Sequence, residues 1–132
     1  MNRSVGLAVI YPELSYKIME TAYAVHNGLG PGFSEEIYEA ATLSELQAQQ
    51  IPHVRQKVIK VTYRDRVVGT YRLDLVIAGK IILELKAVTE LPDLHKRQVL
   101  SYLKATGLHL GILLNFGSTR VQAVRVANAR KP

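Results

Sequence analysis

Asp74, Glu84 and Lys86 are residue types that together hydrolyse phosphodiesters with a divalent cation, and they share a surface if the chain between them turns back on itself. The odd positions Tyr71, Leu73, Leu75, Ile77, Ile81, Leu83, Leu85 and Ala87 are all apolar or aromatic, the period of two of a half-buried strand pair. Arg72, Asp74, Glu84 and Lys86 then fall on the opposite face. With Ala78, Gly79 and Lys80 as the loop, Ile77 pairs with Ile81 and Asp74 lies across from Glu84. Facing carboxylates repel, and a hard cation relieves them. Two carboxylates and a backbone carbonyl, such as that of Leu85, suit Mg²⁺, with Mn²⁺ as a stand-in. Lys86 would orient or help deprotonate a water and offset the charge building on phosphorus.

The competing reading is a solvated sheet face on which Lys86 bridges a carboxylate across the hairpin. With eight Glu and eight Lys in the chain, a Glu-x-Lys triplet arises by chance roughly 0.5 times, so the triplet alone does not separate the two. Placement weighs more. A polar face on strands this apolar is usually covered by a helix in an α/β domain, and unpaired charge buried there is costly.

Two helices would have to reach this hairpin. Gln98 and Tyr102 are four apart on one helix face, with His95 a turn earlier on nearly the same stripe. That stripe either faces the carboxylates or belongs to an ordinary amphipathic helix. Gly32-Phe33-Ser34-Glu35-Glu36-Ile37-Tyr38 is less easily set aside, since Gly-x-x-Glu-x-x-Tyr is expected about 0.03 times in this composition. A glycine turn and a capped helix with Glu35 at the positive end of its dipole still account for half of it.

The elements that must hold these residues are legible in outline. Pro12, Leu14, Ile18, Ala22, Val25 and Leu29 have helical spacing, and Gly28 to Gly32 ends the helix. Ser34 is placed to cap a second helix running to about Gln50, before Pro52. From Lys57 the period changes to that of strands, with hairpin turns at Arg64-Asp65-Arg66 and Ala78-Gly79-Lys80. A third helix over Leu91 to about Thr106, marked by Leu94, Leu100 and Leu103, stops at Gly107. Leu108 to Phe116 and then Val121, Ala123 and Val126 read as two further strands before a basic tail. The order is α-α-β-β-β-α-β-β, an α/β or α+β domain with a mixed sheet flanked by helices.

The chain has 132 residues, 48% hydrophobic and 21% charged, which fits one globular domain over 1–132. It has no cysteine, which excludes disulfides and thiolate metal sites. No run of about 18 apolar residues occurs, and the patch Val5 to Ile10 has no cleavage pattern after it, so no membrane span and a cytoplasmic location are expected. The net charge of +6 favours an anionic partner, nucleic acid first, though such a charge also serves solubility. Arg55, Lys57, Lys60, Arg64, Arg66 and Arg72 either form a basic strip near the hairpin or protect a solvated β edge. His26, His53, His95 and His109 have no zinc spacing, and Ser34, Ser101 and Ser118 have no nucleophile-elbow context.

Gly32, Glu35 and Tyr38, with Gly30-Pro31-Gly32-Phe33, Tyr71 to Leu75, Glu84-Leu85-Lys86-Ala87, Gln98 to Tyr102 and Gly111 to Gly117, resemble the bacterial GxxExxY proteins of the PD-(D/E)XK nuclease superfamily. The resemblance spans nearly the whole chain. It implies a restriction-endonuclease-like core, with Asp74 and Glu84 as metal ligands, Lys86 as the catalytic lysine and Glu35 reaching the metal cluster, through water or directly. Gln98 and Tyr102 resemble the Gln-x-x-x-Tyr motif of RecB-like nucleases, which supports the site and the scissile strand. Leu73 stands where the superfamily pattern has proline.

The function expected is therefore a Mg²⁺-dependent nuclease acting on DNA, as a homodimer or docked on a larger complex, since about 132 residues leave no room for a separate recognition domain. The competitor is a silent nuclease-fold module that binds nucleic acid or a protein.

Overall fold

A computed structural model describes residues 10–128. The patch Val5 to Ile10, apart from Ile10, and the basic end of the tail lie outside the described residues. Helix α1 (Pro12–Leu29) starts on a proline that needs no helical partner for its nitrogen, and it buries Ile18, Ala22 and Val25 at helical spacing. Gly30, at φ 71°, closes it by donating its N–H to the His26 carbonyl at 2.8 Å. Helix α2 (Glu35–Ala48) begins after Ser34, which holds the capping position without a side-chain hydrogen bond. The capping bond expected from the sequence is thus not made.

Strands β1 (His53–Tyr63), β2 (Arg66–Ile77) and β3 (Ile81–Lys86) form an antiparallel meander. Its first strand starts four residues earlier than the change of period at Lys57 indicates. Arg64 and Asp65 both take left-handed backbone, at φ 48° and 63°, which is the tight two-residue turn whose twist matches the strands it joins. Helix α3 (Asp93–Thr106) then crosses over to β4 (Leu110–Asn115), which runs parallel to β3, and β5 (Gln122–Ala127) pairs antiparallel with β4. The sheet order is β1-β2-β3-β4-β5, so the central strands β3 and β4 are covered on both faces.

Two apolar layers result. On one face α1 and α2 pack Ile18, Val25, Tyr38 and Leu46 against Leu75, Ile77, Leu83, Leu85 and Ile112. On the other, α3 packs Tyr102 and Leu103 against Leu73, Val76 and Ile82. Gly111 makes this second contact close, because a β-carbon there would stand 2.4 Å from Val99 Cγ1. Leu94, expected as a buried marker of α3, is 61% exposed; Val99, Tyr102 and Leu103 form the buried stripe instead.

The period-two reading of the hairpin holds for Leu75, Ile77, Ile81, Leu83 and Leu85 but fails at Tyr71 and Leu73, which pack in the α3 layer. The change comes at the level of Asp74. Gln56, which the register places opposite Asp74, has φ 50°, and the register is the same on either side of it, from Arg55↔Leu75 to Lys57↔Leu73. At this same level the buried side chains of β2 pass from the α1 and α2 layer to the α3 layer.

Candidate active site

The β2 and β3 ladder runs from Ile77↔Ile81 to Leu75↔Leu83 and stops there. The next position in the same register is Asp74 opposite Glu84, as the sequence predicts. Side chains replace the ladder at that point: Leu85 N–H donates to Asp74 Oδ2 at 3.0 Å, and Asp74 N–H donates to Glu84 Oε1 at 3.4 Å. Within a strand residue the N–H and carbonyl point to the same side, so the Leu85 carbonyl is also aimed toward β2, where the strands have parted.

Burial sets the electrostatics. Glu84 is only 4% exposed, and burial, then the neighbouring Asp74, pushes its carboxyl up to about 8. Asp74 is also held above the usual carboxylate range, first by burial and then by Glu39 and Glu35, with Leu85 N–H and Lys86 opposing the shift. Lys86 is half-buried at the end of β3, where its charge acts on both carboxylates.

Helix α2 supplies the opposite wall. Glu35, Glu36, Glu39, Gln56, Asp74 and Leu85 line a cleft of about 120 Å³. Tyr38 explains how the Gly-x-x-Glu-x-x-Tyr motif works physically. Its buried ring stacks on Phe116 with centroids 4.8 Å apart, and its hydroxyl donates to the Gly30 carbonyl and accepts from Phe33 N–H at 3.3 Å. Gly32, at φ 109°, completes the turn so bound. The tyrosine thereby fixes the turn that aims Glu35 at the cleft.

Helix α3 contributes unevenly. Tyr102 is buried, edge-on to Tyr71 with ring centroids 4.8 Å apart, and burial, then Glu84 and Asp74, pushes its hydroxyl up to about 12. Its hydroxyl keeps its proton beside the carboxylates. His95, half-buried a turn nearer the N-terminus, is held below its ordinary range by burial and Lys86, with Glu35 opposing. Gln98 is exposed and makes no hydrogen bond to the cluster among the described residues.

Three participants have no place in the sequence reading. Glu39 lies one helical turn beyond Glu35, accepts from Gln56 Nε2 at 2.8 Å and pairs with Arg55 at 3.5 Å. Its i,i+4 spacing from Glu35 was the available signal. Gln56 carries the left-handed backbone and no local residue type announces it. Asn115, fully buried in β4, accepts from Val88 N–H at 2.9 Å and Gly117 N–H at 3.1 Å, and donates to the Val88 carbonyl at 2.8 Å and to Gln122 Oε1 at 2.7 Å. With the Phe116 N–H to Lys86 carbonyl bond at 2.9 Å, it holds the exit of β3 beside Lys86.

Among the described residues no group of three or more His, Asp or Glu side chains is placed to hold a metal ion by itself. The oxygen set of Asp74, Glu84 and the Leu85 carbonyl still fits a small hard cation that keeps water ligands and takes phosphate oxygens. Positive charge there would also relieve the two crowded carboxyls. No helix among the described residues is long and apolar enough to cross a membrane.

A sequence profile of the PD-(D/E)XK nuclease superfamily matches residues 12–126. No curated protein matches the chain. Among solved structures, the crystal structure of SSO0001 is similar in fold, with a TM-score of 0.58 and 23% identity over 98% of this chain. The chain spans 63% of that protein's length.

Proposed function

Because the chain belongs to the PD-(D/E)XK nuclease superfamily, whose members are usually nucleases but include inactive ones, we propose that it hydrolyses phosphodiester bonds in DNA with the aid of Mg²⁺. The reading treats residues 1–132 as one nuclease-like domain and places it with the GxxExxY proteins through Gly32, Glu35 and Tyr38. The observation that carries it is the parting of β2 and β3 at Asp74 and Glu84, with Lys86 acting on both carboxylates.

In this reading Asp74, Glu84 and the Leu85 carbonyl would hold the cation, with Glu35 facing the same cleft. The bound cation supplies concentrated positive charge at the scissile phosphate. Lys86 orients the attacking water and offsets the negative charge that grows on phosphorus. Tyr102 keeps its proton beside the carboxylates, while Gln98, being exposed, is left to meet the nucleic-acid strand.

A cleavage assay on linear, circular, branched and single-stranded DNA, titrated with Mg²⁺ or Mn²⁺, tests this. Cutting should need the metal and disappear in Asp74→Ala and in Lys86→Ala. Full activity in either purified variant rules the assignment out. Binding by the parent chain without turnover on any of these substrates would leave a silent nucleic-acid-binding module in its place.

A further inference from the structure

The first two strands are 11 and 12 residues long, whereas the other three have six each. β3 pairs with β2 only at Leu75 to Ile77, so the outer half of the β1 and β2 pair is a two-stranded ribbon. Its base is anchored where Ile59 and Tyr71 pack against the α3 layer. Beyond that it stands in solvent, with Val58, Tyr63, Val67 and Val68 between 54% and 62% exposed. A bare two-stranded hairpin is marginal in water, and exposed valines add nothing to its stability.

The ribbon also concentrates the charge of the molecule. Residues 55–72 contain six of the 17 basic residues and one of the 11 acidic ones, so this segment carries +5 of the formal net charge of +6. Arg55 is tied to Glu39. Lys57, Lys60, Arg66 and Arg72 have no ion pair among the described residues, and Arg64 lies over the Tyr63 ring at 5.2 Å. Folding does not call for such crowding, since like charges on paired strands repel.

We infer that the β1 and β2 ribbon, from Lys57 to Arg72, is an arm that docks on double-stranded DNA. The inference rests on the reading of nucleic acid as the substrate and adds which form of it and by which surface. β2 runs without a break from the arm to Asp74, so at about 3.3 Å per residue Arg72 stands about 7 Å, and Arg66 about 26 Å, from the proposed cutting site. A two-stranded ribbon fits the B-form major groove, which is about 12 Å wide, whereas the A-form groove of duplex RNA is too narrow. The exposed valines would meet thymine methyl groups there, and the basic side chains the flanking phosphates. Edge pairing with a second copy would oppose +5 with +5, which disfavours it.

Binding of the full chain to a short DNA duplex, measured by anisotropy across a salt series in EDTA, tests the arm independently of cutting. In the triple variant Lys60→Ala/Arg64→Ala/Arg66→Ala, affinity should fall roughly tenfold or more, and the slope of log K against log salt should drop by about 2.7. The triple variant Lys17→Ala/Lys104→Ala/Arg120→Ala removes equal charge elsewhere and should change both much less. All six positions are exposed, so the melting curves should coincide with the parent. Equal effects in the two variants, no effect in the first, or no binding by the parent would overturn the proposal. So would equal binding of an RNA duplex, or a change of sedimenting mass in the first variant with DNA binding intact. Parent protein that binds through the arm yet cuts nothing would remove the nuclease reading and leave the arm standing.

Discussion

Asp74 N–H donates to Glu84 Oε1 at 3.4 Å, and one residue further along β3 Leu85 N–H donates to Asp74 Oδ2 at 3.0 Å. Two carboxylates therefore occupy hydrogen-bonding places that a continuous sheet would give to carbonyls. The strands are kept apart there, and a cleft lined by Asp74, Leu85 and the glutamates of α2 opens at the end of an otherwise apolar hairpin. The same arrangement puts like charges together in poor solvent, and its consequences are measurable.

The first concerns pH. The Glu84 carboxyl lies near 4.5 in the unfolded chain and about 8 in the folded one, so between those values the folded state holds a proton that the unfolded state has lost. Stability of the metal-free protein should fall as pH rises from about 5 to about 8, by about 3 to 5 kcal/mol at full effect. Asp74 adds a slope of the same sign, and His95, shifted downward, one of the opposite sign. Urea melts of the parent and Glu84→Gln at pH 5, 6.5 and 8 isolate the term. The variant should show a flatter profile and exceed the parent at pH 8; parallel profiles would contradict the account.

Cation binding should reverse that loss. Mg²⁺ at a hundredfold excess over its dissociation constant adds about 2.7 kcal/mol by mass action. The melting temperature of the parent at pH 8 should rise with Mg²⁺, and that of Asp74→Asn should not. An equal rise in both would place the cation elsewhere.

Tyr38→Phe keeps the stack on Phe116 but removes the hydroxyl that binds the Gly30 carbonyl and Phe33 N–H. A loss of about 1 to 3 kcal/mol is expected in urea unfolding. Since the turn aims Glu35, cleavage should weaken more than stability alone explains, and an unchanged rate at full folding would separate the turn from the site.

Gly117→Ala is expected to be the most disruptive single methyl. A β-carbon there would stand 2.4 Å from Val88 N and 2.5 Å from its carbonyl oxygen, both backbone atoms with nowhere to go. The strand exit after Lys86 would have to move, so activity should fall even where circular dichroism shows the fold intact. Asn115→Ala should act in the same direction by leaving Val88 N–H and Gly117 N–H without their shared acceptor. Wild-type turnover in both variants would show that this clamp does not position Lys86.

Much of this molecule is local and so was readable in the sequence. Apolar spacing located α1, the breaks at Arg64-Asp65-Arg66 and Ala78-Gly79-Lys80 located the two hairpin turns, and together they set the order of elements. A period of two with the loop at Ala78, Gly79 and Lys80 set the register that opposes Asp74 and Glu84, because side-chain direction along a strand depends only on counting. Motif spacing put Glu35 and Tyr38 on one helix. Counting fails wherever backbone geometry departs from the repeat. Gln56 adopts left-handed backbone without being glycine, and at the same level Tyr71 and Leu73 turn to the α3 layer. Convergence is likewise invisible to spacing. Only the packing of α2 against the sheet brings Glu39 beside Asp74, only the parallel neighbour β4 brings Asn115 to the end of β3, and only the seating of α3 buries Tyr102 while leaving Gln98 in solvent. The paired carboxylates were thus written in the hairpin itself; the walls around them were decided by which faces could be buried together.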